Sequence, residues 1–172
     1  MSSDTCSEEF QLGQEEKIDP HCEAREFCSG HEFESNPLCF SVSKDAYITG
    51  VELLAWRENT ENFEYEENVE VSVRDYSGAL LASASFTGQV KPYTLFKIMF
   101  ERPCPLSADV DHVLRTKFAE LNVRHFCYQY DQQTTKTNSD IEVHLPKQMN
   151  SPICYIYIAK KISGAMCDAN IE

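Results

Sequence analysis

The sequence predicts an all-β fold, an antiparallel β-sandwich, on three observations. From residue 36 to residue 162 nearly every apolar run alternates with polar residues at period two, the spacing of a strand with one buried and one solvated face. No strongly amphipathic helical stretch interrupts the pattern. Turn chemistry punctuates it, most clearly at Asp75-Tyr-Ser-Gly78, where a glycine closes a turn between two alternating runs.

Residues 1–35 carry ten acids, from Asp4 to Glu34, against Lys17 and Arg25, and hold their aromatics singly at Phe10, Phe27 and Phe33. So little apolar surface predicts an acidic, partly disordered tail, separable from the fold and deletable with little change in melting temperature. Strands are expected at Leu38 to Val42 and at Ala46 to Trp56, joined at Lys44-Asp45, before an acidic loop from Arg57 to Glu67. Val69 to Arg74 and Ala79 to Thr87 read as a hairpin, with Leu80, Ala82, Ala84 and Phe86 on one face. Thr94 to Glu101 places Phe96, Ile98 and Phe100 in the core and Lys97 outside. Arg102-Pro-Cys-Pro105 is expected to end that strand at an edge or crossover, because proline cannot donate to a ladder. Weaker strands at His112 to Phe118 and His125 to Tyr130 precede a polar hairpin tip at 132–139 and a strand from Ile141 to Leu145. Ile153 to Lys160, apolar and aromatic throughout, is expected to be central. The division is thus a tail at 1–35, a sandwich at 36–162 and a C-terminal tail at 163–172.

A chain of 172 residues buries a full core without staples. Its formal net charge is -13, of which residues 1–35 hold -8. Without a Lys/Arg stripe such a chain is repelled by phosphate backbones, so nucleic acid is excluded as a partner and a basic segment of another protein is expected. The opening residues lack a basic and an apolar signal region, no apolar run is long enough to span a bilayer, and no Asn-x-Ser/Thr sequon occurs. These features predict a cytoplasmic or nuclear protein without a membrane partner. In that setting the eight cysteines are expected to be reduced, with Cys39, Cys104, Cys127 and Cys154 serving as small hydrophobes.

Three stretches carry a family resemblance. Residues 40–53 run from an F-x-V strand through a short turn into a strand bearing Gly50 and a hydrophobic pair; residues 96–109 contain a proline-punctuated segment after Phe96 and Phe100; residues 148–157 pass from a polar, proline-containing turn into apolar and tyrosine residues. In this order they resemble the PHR domain, the sandwich recognised in Pam and Highwire and found behind BTB and BACK modules in substrate adaptors of ubiquitin ligases. The resemblance spans about residues 36–162 and implies a jelly-roll-like sandwich with a tendency to bind proteins; with no BTB, BACK or RING segment beside it, direct recruitment of a cullin or an E2 enzyme is not expected. The glycine- and serine-rich loop usual in that family has no counterpart, since Phe118 to His125 occupies its place.

No Gly-x-Ser-x-Gly elbow or phosphate-binding glycine loop is present, and His21, His31, His112, His125 and His144 are scattered. No catalytic residue and no cofactor is assigned. His21, Cys22, Cys28 and His31 place the donors zinc prefers within eleven residues, but the spacing fits no standard finger and the adjacent His21 and Cys22 strain joint coordination, so no metal site is assigned. The expected contact surface is the acidic aromatic loop with its flanks: Trp56, Glu61, Phe63, Glu64, Tyr65, Glu66 and Glu67. Aromatics flanked by carboxylates suit the gripping of an Arg or Lys side chain, unless they merely cover the end of the sandwich. The expected function is a non-enzymatic interaction module or adaptor, linked through the resemblance to ubiquitin-ligase substrate recognition. The alternative is a small-ligand or carbohydrate-binding jelly roll using Trp56, Asn59, Asn62 and Glu64.

Overall fold

The computed structural model describes residues 12–19, 22–130 and 132–162. Its elements are β1 (Leu12–Ile18), β2 (Cys22–Ser29), α1 (Gly30–Ser35), β3 (Leu38–Val42), β4 (Ala46–Ala55), β5 (Tyr65–Asp75), β6 (Leu80–Val90), β7 (Thr94–Leu106), β8 (His112–Phe118), β9 (Arg124–Tyr130), β10 (Gln133–Lys136), β11 (Glu142–Leu145), β12 (Gln148–Ser151) and β13 (Ile153–Lys161). The chain is an all-β, antiparallel sandwich. A four-stranded sheet, β1-β13-β4-β7, and a six-stranded sheet, β10-β11-β3-β8-β5-β6, supply its main layers, and a three-stranded sheet, β12-β9-β2, completes it.

The core forms where the period-two pattern directs apolar side chains inward. On β5, Val69, Val71 and Val73 are at most 1% exposed, while Glu66, Asn68 and Glu70 face solvent. They pack into one cluster with Phe40, Val51, Ile98, Leu114 and Ile156. The β5–β6 turn is closed by Asp75, whose carboxylate accepts the Ser77 N–H, the Ser77 hydroxyl and the Ala79 N–H at 2.6–2.9 Å. Gly78 takes φ +87°, a conformation that costs residues with a Cβ.

Strand β7 runs through Pro103 and Pro105 to Leu106 instead of ending at Glu101. It is the outer strand of its sheet, paired only with β4, so prolines are tolerated on its open side. A register shift between Ile48 and Gly50 accommodates the change of pairing. There β4 and β7 approach so closely that a Cβ on Gly50 would lie 2.6 Å from the Ile98 carbonyl oxygen.

The expectation of a separable tail over residues 1–35 is corrected for its described part. β1 pairs with β13 from Leu12 opposite Lys161 to Ile18 opposite Ile156, β2 pairs with β9, and α1 packs on β8. Ile18, Cys28 and Phe33 are 1–2% exposed, and the Phe33 ring lies 5.4 Å from that of Phe118. The charges that suggest a solvated tail are used internally. Glu15 accepts the Thr49 hydroxyl, Glu16 accepts the Asn138 and Ser139 N–H groups, and Lys17 pairs with Glu52 at 2.9 Å. Addition of β1 also makes β13 central, the position its apolar sequence requires.

Ile98 is 2% exposed, Phe100 is buried and Phe96 half-buried, whereas Lys97 points out over the Tyr157 ring at 4.5 Å. Ile98→Ala is expected to cost about 2–5 kcal/mol in chemical denaturation, and Lys97→Ala no more than about 1 kcal/mol. The reverse order would mean an inverted strand register.

Candidate functional site

One end of the sandwich gathers the loop at 57–64, the turn at 91–93 and the loop at 119–123. Ion pairs tie them together: Glu64 with Lys91 at 3.6 Å, Glu120 with Arg57 at 3.7 Å and Glu58 with Arg124 at 3.4 Å. The first loop is short and wound on itself. Thr60 donates its hydroxyl to the Arg57 carbonyl, the Phe63 N–H donates to Thr60, and Asn59 adopts φ 65°.

Its base is a buried polar cluster. Glu67 is 1% exposed; its carboxylate accepts Arg57 Nη2 at 2.8 Å and faces His125 Nε2 at 3.1 Å. The Arg57 guanidinium lies 4.5 Å over the Tyr65 ring, and the His125 ring stacks on Phe118 at 3.7 Å. Burial opposes ionisation of Glu67, but His125 and Arg57 outweigh it and hold the carboxyl below its ordinary range. Burial, reinforced by the Glu67 charge, pushes the Tyr65 phenol well above its ordinary range.

Beside this cluster Trp56 is packed among Phe126, which stacks on it at 4.5 Å, Tyr93 at 4.8 Å and Phe27 edge-on at 5.3 Å. Tyr93, at φ 64°, donates its N–H to the Ala55 carbonyl and stays 52% exposed. Farther out, Phe63 is 68% exposed, and Glu58, Glu61, Glu64, Glu66 and Glu120 are exposed around this end.

The seven residues expected to contact a partner therefore divide. Phe63, Glu61, Glu64 and Glu66 are accessible. Glu67 is corrected to a buried structural anion, because the inward phase of Val69, Val71 and Val73 continues back through Glu67 to Tyr65. Tyr65 and Trp56 are partly buried and brace the loop from beneath. Trp56, the aromatic of the alternative sugar platform with Asn59, Asn62 and Glu64, is half-buried and stacks one face on Phe126. Tyr93, Arg57 and His125 join the site without a signal in the sequence. Tyr93 lies far from the loop in the chain, and neither Arg57 nor His125 carries a local motif.

Of the possible zinc donors, His21 lies outside the described residues, as does the side chain of Cys22. Cys28 belongs to the hydrophobic core. His31 is exposed on α1 and lines a polar cleft of about 510 Å³ with Glu34, Glu70, Arg74, Arg115 and Lys117. Burial pushes the Cys104 and Cys154 thiols up to about 11, as suits the small-hydrophobe role expected of them. No helix among the described residues is long and apolar enough to cross a membrane. No protein-family model matches the chain, and no curated protein shows significant similarity to it.

Proposed function

We propose that this chain is a non-enzymatic protein-interaction module of the cytoplasm or nucleus, an adaptor that grips a basic segment of a partner at the acidic aromatic end of the sandwich. One observation carries the reading: Phe63 stands 68% exposed among exposed carboxylates on a loop whose base is pinned by the buried Arg57–Glu67–His125 cluster. An Arg or Lys head placed on that ring meets its negative face and the neighbouring acids together, and a pinned loop has little freedom to lose on binding. The PHR resemblance supports an adaptor role and extends the proposal to ubiquitin-ligase substrate recognition.

Quantitative affinity capture from the native cell type tests it. Partners captured by the wild type should be lost with Phe63→Ala, and Glu64→Lys with Glu66→Lys should slow their association and reduce its salt dependence. Circular dichroism should be unchanged for both variants because all three positions are exposed. Retention of every partner by both variants would place the interface elsewhere.

A further inference from the structure

The polar cleft beside α1 is built on the outer face of the six-stranded sheet. In the β5–β8 pairing Ser72 stands opposite Arg115 and Glu70 opposite Lys117, and opposite residues of antiparallel strands share a face. Arg74, two residues beyond Ser72, shares that face and lies diagonal to Arg115, a separation of roughly 7–8 Å. His31 and Glu34 of α1 form one wall, and the cleft measures about 510 Å³.

Its cations are left without counter-charge. The chain has 28 acids for 15 bases, and elsewhere Lys17, Arg57 and Arg124 each take a carboxylate at 2.8–3.4 Å. Arg74, Arg115 and Lys117 form no ion pair among the described residues, although Glu34 and Glu70 line the same cleft. Arg74 donates Nη1 to the neutral Gly78 carbonyl at 2.8 Å, and its Nε is buried with no acceptor among the described residues. The Ser72 hydroxyl, between the two arginines, makes no hydrogen bond among the described residues. Neighbouring like charges on a sheet and a buried donor without an acceptor both cost stability. An anion in the cleft offsets the repulsion.

We propose that this cleft binds a single phosphate monoester, its dianion held between the guanidiniums of Arg74 and Arg115, with the Ser72 hydroxyl beneath and Lys117 at the side. The planar guanidinium fork matches phosphate oxygens, and two arginines set on a diagonal suit a group with three terminal oxygens. A carboxylate is the weaker fit, since the two already in the cleft pair with neither arginine. Charge limits the ligand to one phosphate group. Three cations against Glu34 and Glu70 leave a single positive charge, so a polyphosphate or a nucleic acid meets two carboxylates and a chain of net charge -13. A free phosphate and a phosphorylated side chain of a protein present the same chemistry, and two probes separate them.

Amide correlation spectra of the full chain, at constant ionic strength, should be recorded against inorganic phosphate and against a capped phosphoserine tripeptide. Both should give saturable shifts gathered at residues 70–74 and 113–117, with dissociation constants of about 0.1–10 mM. Tighter binding of the tripeptide assigns the site to a phosphorylated protein segment; tighter binding of inorganic phosphate assigns it to the free ion. The unphosphorylated tripeptide should cause no shift. Arg115→Gln, at an exposed position, should weaken both probes by ~10-fold or more with circular dichroism unchanged. Glu70→Gln removes a repelling carboxylate and should tighten both by about 2–5-fold, a gain that misfolding cannot produce. No saturable shift up to about 50 mM, shifts on another face, wild-type affinity in Arg115→Gln, or weaker binding by Glu70→Gln would each overturn the site. Phe63→Ala should bind both probes as the wild type does, which separates this site from the acidic loop.

Discussion

Deletion of residues 1–35 should abolish cooperative unfolding. The loss removes Ile18 and Phe33 from the core, two side chains at 1–2% exposure. Truncating residues of these types in a core typically costs about 2–5 kcal/mol each, and a whole domain is stable by only about 5–15 kcal/mol. It also strips β1 from β13 and exposes the backbone edge of an apolar strand, which favours aggregation. Calorimetry of the deletion variant should show no sharp transition, and Phe33→Ala alone should cost about 3–5 kcal/mol. A deletion variant that melts within a few degrees of the full chain would show that the segment is the separable tail its composition suggests.

Glu67→Gln should be the most damaging single substitution at the base of the loop, at about 3–5 kcal/mol near neutral pH, because it removes the buried counter-charge of the largely buried Arg57 guanidinium and leaves it only the exposed Glu120 at 3.7 Å. The pH dependence has a definite sign. The Glu67 carboxyl is held below its ordinary 4.5 in the folded state, so the unfolded chain binds more protons between the two values. The stabilisation is complete above about pH 5 and is lost as pH falls through the depressed folded value. Urea denaturation should therefore show a constant gap between wild type and Glu67→Gln from pH 7 to 5, narrowing towards pH 3. A gap under about 1 kcal/mol at pH 7, or one unchanged down to pH 3, would contradict this account of the cluster.

Where side-chain alternation carries the structure, the fold is readable in the sequence. β3 and β8 coincide with the expected spans, and the central place of β13 follows from its unbroken apolar run. The reading falls short where polar side chains or the backbone hold a strand. β1 shows only Leu12 and Ile18 as apolar residues, and its glutamates look like solvent-facing charge until Thr49, Asn138 and Ser139 are seen to bind them. Pro103 and Pro105 look like the end of a strand, whereas an open edge removes their penalty.

The same competition decided the site. The valine phase of β5, carried back from Val69, places Glu67 and Tyr65 inside, but the acidity of this stretch favours a loop. The partners that permit burial, the Arg57 guanidinium and the His125 ring nitrogen, lie ten and fifty-eight residues away in the chain. Phe63, Glu61, Glu64 and Glu66 stay exposed as composition suggests, and the Lys91 that pairs with Glu64 is itself exposed.

The central claim is that the exposed acidic aromatic end receives a basic segment of a partner, and amide correlation spectra of the labelled chain, recorded as a captured partner is titrated in, test it most directly. The account predicts shifts concentrated at residues 58–66 and 91–95, with Phe63 and Tyr93 among the largest, and their disappearance in Phe63→Ala. Saturating binding that leaves those amides unmoved while shifts gather on another face of the sandwich would contradict it.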